Sequence, residues 1–227
     1  PLFQGSPDAE KAGKIYQAII DDLKSINSNV TTGAKRLQDL SMALRSQSRM
    51  EHEATPGVLV NEVVKESMVL AGGRTKRHGV QEALGELPPI TFFRSKIGQV
   101  VTNLLANAAD ALTEKVQASK ANGGEIFEGQ ISVTSEAKER EGKPGVLVTV
   151  SDNGDGVPES IREKIFEQFF TTKPAGVGTG LGLAMCVDIV KEHGGMLSVT
   201  DDEKLGGARF ELWLPVEAAP VVELSES

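Results

Sequence analysis

Residues 176–185 read "GVGTGLGLAM", with glycine at 176, 178, 180 and 182 directly ahead of an apolar run. Glycine weakens a regular element by roughly 0.5–1 kcal/mol per residue, and it is placed where the backbone needs positive φ or where something must approach the main chain closely. Four in so short a span predict a ligand loop leading into a helix. The pattern lacks the Lys-Ser/Thr pair of a Walker A loop and differs from the strand, GxGxxG and helix of a dinucleotide site. What it offers is a run of free N–H groups feeding a helix N-terminus, which favours an anion through unpaired donors and the helix dipole together. A flexible linker has the same composition, so the remaining segments decide.

Upstream, apolar residues recur at three-and-four spacing at Ile15, Ile19, Leu23, Ile26, Val30, Ala34, Leu37, Leu40 and Leu44, the mark of one helix face. Residues 8–55 thus read as a helical segment, with a kink or break expected in "SINSNVTTG" at 25–33, which is poor in helix formers. A stripe of this length cannot be buried by its own helix; it needs a partner helix or a second copy of the chain. Pro56-Gly57 signals a turn into a second unit, 56–217. There the pattern predicts helices at about 58–71, 94–118 and 181–193 and a short strand near "PPITFF". It also predicts a hairpin of "GQISVTS" and "GVLVTVSD" across "EAKEREGKPG", and closing strands "GMLSVTDD" and "ARFELWLP". Helices gathered on one face of a mixed sheet make the expected class α+β, a two-layer α/β sandwich. Residues 1–7 read as a protease-site and cloning remnant, and 218–227 as an acidic tail or linker.

A net charge of −8 argues against nucleic acid as a main partner, since neutralising phosphates needs clustered Lys and Arg. The one basic cluster, "RTKRH" at 74–78, reads as a solvated turn. The single cysteine, Cys186, rules out a disulfide framework; within "LGLAMCVDIV" it reads as a buried, inert thiol. With no apolar stretch long enough to cross a bilayer and no signal-peptide pattern, a cytoplasmic piece is expected, whose parent could still carry a membrane anchor.

Two segments between these elements carry chemistry. Asn103 and Asn107 lie four apart in "TNLLANAADAL", so a helix puts both amides on one face while Leu104, Leu105, Ala108 and Leu112 cover the core. Aligned amides inside an apolar helix need partners, either neighbouring backbone or an oxygen-seeking ligand such as Mg²⁺ or phosphate. "SDNGDGVP" at 151–158 follows a strong strand. A carboxylate at a strand end, backed by glycines that admit a flat ring, is what an adenine amino group needs as acceptor; an ordinary Asp/Gly turn looks the same.

The order of the segments is more informative than any one of them. "NLLANAADAL", "DNGDGVP", "FEQFFTTK" and "GVGTGLGLAM" resemble the N, G1, F and G2 boxes of the ATP-binding domain of sensor histidine kinases, members of the GHKL superfamily, and the similarity runs from about residue 57 to 216. The resemblance implies a Bergerat-type pocket for ATP and Mg²⁺. In it Asp152 would accept the adenine amino hydrogen, with Gly154, Gly156 and Val157 around the ring. Asn107 would coordinate Mg²⁺, with Asn103 and Asp110 along the same helix. The segment 168–180 would be a mobile lid with Thr171, Thr172 and Lys173 near the phosphates, and Asn103, Asn107 and Lys173 would form the catalytic set. Gly176, Gly178, Thr179, Gly180, Leu181 and Gly182 would supply the phosphate cradle. The glycines then serve as both hinge and cradle.

Similar ATPases, such as gyrase B and the heat-shock chaperones, place a Glu one turn before the metal Asn to activate water. Here that position is Asn103, a neutral amide that cannot act as a base. Phosphoryl transfer to histidine depends more on positioning and charge neutralisation, so the resemblance implies a protein histidine kinase. An ATPase or chaperone-like switch and a nucleotide-binding pseudokinase scaffold are the alternatives. His52 in "MEHEATPG" is one residue short of the family's acceptor motif. His78 and His193 have structural explanations, the latter as a cation at a helix end. Residues 8–50 resemble the second helix of a dimerisation domain. The implied partners are therefore an upstream phosphoacceptor helix or a separate histidine-containing protein, a response-regulator receiver domain, and a second copy bound through 8–50. Ala208 stands where the family often has Thr or Ser.

Overall fold

The computed structural model describes residues 13–27, 30, 33, 54–121, 123, 127–173 and 178–216. The chain divides into two compact units, Pro1–Arg45 with Thr171–Thr179, and Ser46–Phe170 with Gly180–Ser227. In the first, residues 13–27 form helix α1, and residues 30 and 33 are helical too. Its expected stripe is present and exposed at Ile15, Ile19, Leu23, Ile26 and Val30. Ala34, Leu37, Leu40 and Leu44, residues 28, 29, 31 and 32 of the proposed break at 25–33, His52, the 1–7 remnant and the 218–227 tail lie outside the described residues.

The second unit is built around α3 (Arg94–Ala121). Ile97, Val100, Val101, Leu104, Leu105, Ala108, Ala109 and Leu112 are buried, a helical repeat that covers more than one face and so lets α3 meet several neighbours at once. It packs against α2 (Val60–Thr75), α4 (Gly182–Glu192) and the central strands. Five strands form the main sheet: β2 (Gly79–Leu84), β4 (Gln130–Ala137), β5 (Gly145–Asp152), β6 (Met196–Asp201) and β7 (Ala208–Pro215). Their order is β2-β4-β5-β7-β6, with β2 and β4 parallel and every other pair antiparallel. β5, "GVLVTVSD", is buried along its whole length, as its near-continuous apolar run and central place demand. This is the two-layer α/β sandwich the sequence predicts.

The differences are local. Pro56-Gly57 is not a free turn: it lies inside β1 (Thr55–Val58), which pairs irregularly with β3 (Ile90–Phe92). α2 runs one turn further than expected, through Gly72-Gly73, and carries the basic cluster at its end. That cluster is not merely solvated, because Arg74 pairs with Asp110 on α3 at 3.9 Å and His78 Nε2 lies 3.3 Å from the Thr113 hydroxyl. β2 was not expected at all. The β4–β5 hairpin turns at Glu141-Gly142, both at positive φ. His193 is not a helix-end cation: the Phe93 N–H donates to Nε2 at 3.1 Å, so that nitrogen carries no proton, and Nδ1–H donates to the Ile189 carbonyl at 2.6 Å.

At the mouth of β5, a Cβ on Gly145 would fall inside the Trp213 indole, which is itself tethered by an Nε1–H bond to the Lys138 carbonyl at 2.8 Å. Overpacking of this kind costs about 1–3 kcal/mol. Gly145→Ala is expected to lower the urea midpoint accordingly, followed by the fluorescence of Trp213, the chain's one tryptophan. A wild-type midpoint would mean that the indole can step aside.

Candidate functional site

Asp152 closes β5 and is buried. Its Oδ1 accepts the Gly154 N–H at 2.8 Å and the Ala208 N–H at 3.4 Å. Its second oxygen engages none of the hydrogen bonds found among the described residues, an open acceptor on a buried carboxylate that calls for a partner. Burial pushes this carboxyl above the usual range, while the N–H bonds from Gly154 and Ala208 and the nearby Lys115 charge pull it back. Gly207 makes the enclosure possible: a Cβ there would stand 2.7 Å from Asp152 Oδ1 and closer still to the backbone of Asp152 and Gly154. The turn that presents Gly207 is closed by Asp202, whose Oδ1 accepts the N–H groups of Lys204 and Leu205 at 2.9 and 2.8 Å.

The loop after Asp152 leads away over α3. The site of a Cβ on Gly154 lies 3.6 Å from Ala111, one turn beyond Asn107. Gly156 is at φ +72. Val157 packs against the core, and its carbonyl accepts Arg162 Nε–H at 3.0 Å. Asn107, on the same stripe as Asn103, is half-buried and engages none of the hydrogen bonds found among the described residues. Asn103 donates to Cys186 Sγ at 3.6 Å, which sets the first turns of α4 beside it; burial pushes that thiol up to about 12, so it is the inert group expected. α4 begins at Gly182 with Leu181 at its N-cap, and Leu181 makes no side-chain cap bond. Its leading N–H groups are therefore available to an anion.

The structure thus brings together Asn103, Asn107, Asp110, Asp152, Gly154, Gly156, Val157, Gly180, Leu181 and Gly182 in one unit. The remaining expected residues, Thr171, Thr172, Lys173, Gly178 and Thr179, belong to the other unit, where the Lys173 N–H donates to the Thr171 hydroxyl at 3.2 Å; Gly176 lies outside the described residues. The chain leaves and re-enters the second unit through a pinched neck, the Phe169 N–H donating to the Gly180 carbonyl at 2.9 Å. Both residues are left-handed, and no side chain fits at Gly180 against the Phe169 backbone. Gly207, Asn153 and Lys115 are site-building residues that sequence reasoning missed; the adjacent glycines of "GGARF" were the one available signal.

Residues 94–218 match the family of histidine kinase-, DNA gyrase B- and HSP90-like ATPases. The chain is 34% identical over 186 residues to the sensor histidine kinase ZraS of Escherichia coli O157:H7, covering 81% of this chain and 36% of ZraS. It is 40% identical over 138 residues to the sensory histidine kinase/phosphatase NtrB of Azospirillum brasilense, covering 57% and 31%. Among solved structures, a nucleotide-free catalytic domain of the histidine kinase ThkA superposes with a TM-score of 0.58 at 32% identity, covering 73% of this chain and 97% of that one. The chain spans about a third of the length of the curated relatives it matches.

The raised Asp152 carboxyl has a consequence for stability. A group raised in the folded state favours folding below its unfolded pKa, and that contribution is lost as pH rises through the folded value. At pH 7–8 the ionised side chain is therefore a cost. Asp152→Asn, free of nucleotide, is expected to melt no lower than wild type at pH 7.5, measured by calorimetry; a clear drop would mean that the charge itself holds the loop.

Proposed function

Because the chain belongs to the family of histidine kinase-, DNA gyrase B- and HSP90-like ATPases, we propose that it is the ATP-binding catalytic part of a two-component sensor histidine kinase. The observation that carries the reading is the buried Asp152 carboxylate with one oxygen open, set on the same unit as the Asn107 amide and the uncapped start of α4. The carboxylate accepts the exocyclic amino group of adenine, and the helix N-terminus takes phosphate. Asn107 fits Mg²⁺: an amide oxygen is a hard donor, and its side chain is committed to no other partner among the described residues. Bound there, the ion would supply charge neutralisation between phosphate oxygens. Asn103 contributes a neutral side chain where water activation would need a base, which favours phosphoryl transfer over hydrolysis.

The γ-phosphoryl group is passed to a histidine outside this chain, for relay to a receiver-domain aspartate of a response regulator. Support comes from the histidines themselves, since both rings in the described residues are enclosed by packing partners, His78 on Thr113 and His193 on Phe93 and Ile189. Residues 56–217 are the catalytic domain in this reading and 168–180, with Lys173, its lid. The exposed stripe of α1 serves 8–55 as a dimerisation surface. No helix among the described residues is long and apolar enough to cross a membrane, in keeping with a catalytic part that works in the cytoplasm.

Asp152→Asn is expected to weaken Mg-ATP binding by about 1.5–3 kcal/mol, the scale of a hydrogen bond to a charged group, as read by titration calorimetry; near-unchanged affinity would remove the adenine assignment. Asn107→Ala should weaken binding more with Mg²⁺ than without, and equal losses would mean it is no metal ligand. Incubated with γ-labelled Mg-ATP, the chain alone is expected to bind nucleotide yet gain no acid-labile, alkali-stable phosphate. Label on the chain would place the acceptor within it, with His52 the first residue to replace. Sustained phosphate release would favour the ATPase alternative.

A further inference from the structure

Lys115 lies on α3 two turns past Asn107, and neither of its hydrogen bonds goes to the Asp152 carboxylate. Its ammonium nonetheless saturates its three donors on one target. Nζ donates to the carbonyls of Asn153 and Gly154, each at 2.9 Å, and pairs with Asp155 Oδ1 at 3.3 Å. The charge also sits 4.7 Å from the centre of the Phe127 ring, which shields it from water and strengthens each contact. A surface lysine is ordinarily a mobile point charge, whereas this one is only 30% exposed and fully engaged.

The Asn153 carbonyl it holds is half of a planar unit. The other half is the Gly154 N–H, the same group that donates to Asp152 Oδ1 at 2.8 Å. Because the peptide is rigid, fixing its oxygen from below fixes the direction of its N–H and hence the rotation of the carboxylate. The Asn153 side chain pins the same residue from the sheet side: Oδ1 accepts the Gln130 N–H at 2.7 Å and Nδ2–H donates to the Glu128 carbonyl at 2.9 Å. Lys115 supplies the only one of these restraints that comes from the helix bearing Asn107.

We propose that Lys115 is a positioning residue for base recognition, which acts through the 153–154 peptide to aim the open oxygen of Asp152 and so to discriminate adenine from guanine. The inference rests on the adenine reading of the pocket. Adenine presents a donor to the carboxylate, whereas guanine presents a carbonyl oxygen at the corresponding position, so a fixed acceptor rejects it; a carboxylate free to rotate away rejects it less. The charge of Lys115 acts in the same direction, favouring the ionised acceptor.

The test compares Mg-ATP and Mg-GTP affinities by calorimetry for the wild-type chain and for Lys115→Met, Lys115→Arg and Asp152→Asn, with nucleotide-free melting temperatures alongside. Lys115→Met is expected to bind ATP about tenfold more weakly while GTP changes little, the scale of losing one oriented hydrogen bond. Lys115→Arg, which keeps charge and donors, should return selectivity toward wild type. Wild-type affinity and selectivity in Lys115→Met, with Asp152→Asn impaired, would overturn this inference alone. So would equal losses for both nucleotides that Arg does not rescue, the mark of a purely structural lysine. Unchanged binding in Asp152→Asn would instead remove the adenine reading, and this inference with it.

Discussion

One helix carries the second unit. The buried side chains of α3 meet α2 on one side, α4 on the other and the sheet beneath, so removing its packing would leave neither layer with a partner. The same helix carries a polar stripe of Asn103, Asn107 and Asp110, with Lys115 two turns beyond Asn107. Packing and the polar stripe thus share a single rigid element, and a shift of α3 moves the Asn107 amide and, through Lys115, the loop after β5 together. Sites built on helices and strands hold geometry more closely than sites built on loops, and this arrangement extends that precision to the loop after β5.

The carboxylate at the end of β5 shows the opposite trade. Burial makes its charge costly, and the fold retains that cost by sealing it beneath Gly207 and meeting it with two backbone N–H groups. Such local expense is typical of binding sites, where stability is given up for selectivity. Ala208 also has a place in this account: its side chain lacks a hydroxyl, yet its main-chain N–H still reaches the carboxylate, so the position contributes through its backbone whatever its side chain.

Legibility in the sequence followed the range of the interactions. α3, α4 and the strands β4 to β7 were readable because each carries a strong apolar period or run of its own. β2, "GVQEAL", has no such pattern: its residues are exposed or half-exposed, and it is a strand only because β4 lies beside it. β1 was hidden by Pro56-Gly57, which read as a break. Asp152 and the two asparagines were proposed as site residues from motif, and the glycines of 176–182 from composition. Lys115 did not, because its partner carbonyls are main-chain atoms almost forty positions away, and nothing in the residue type of Asn153 or Gly154 advertises a carbonyl in need of a donor. The tautomer of His193 was unreadable for the same reason, since Phe93 is its partner across 100 residues.

The parallel pairing of β2 with β4 also bears on how the chain is made. Antiparallel neighbours such as β4 and β5 can zip from a tight turn as soon as both are synthesised, but β2 precedes its one sheet partner by the whole of β3 and α3. On an emerging polypeptide its backbone donors stay unclaimed until that helix has formed and β4 has left the ribosome, so closure of this edge is a late, long-range event. The few apolar residues of "GVQEAL", with Gln81 and Glu82 at its centre, suit that delay: a strand that waits in the open is safest when it has little to offer a stranger.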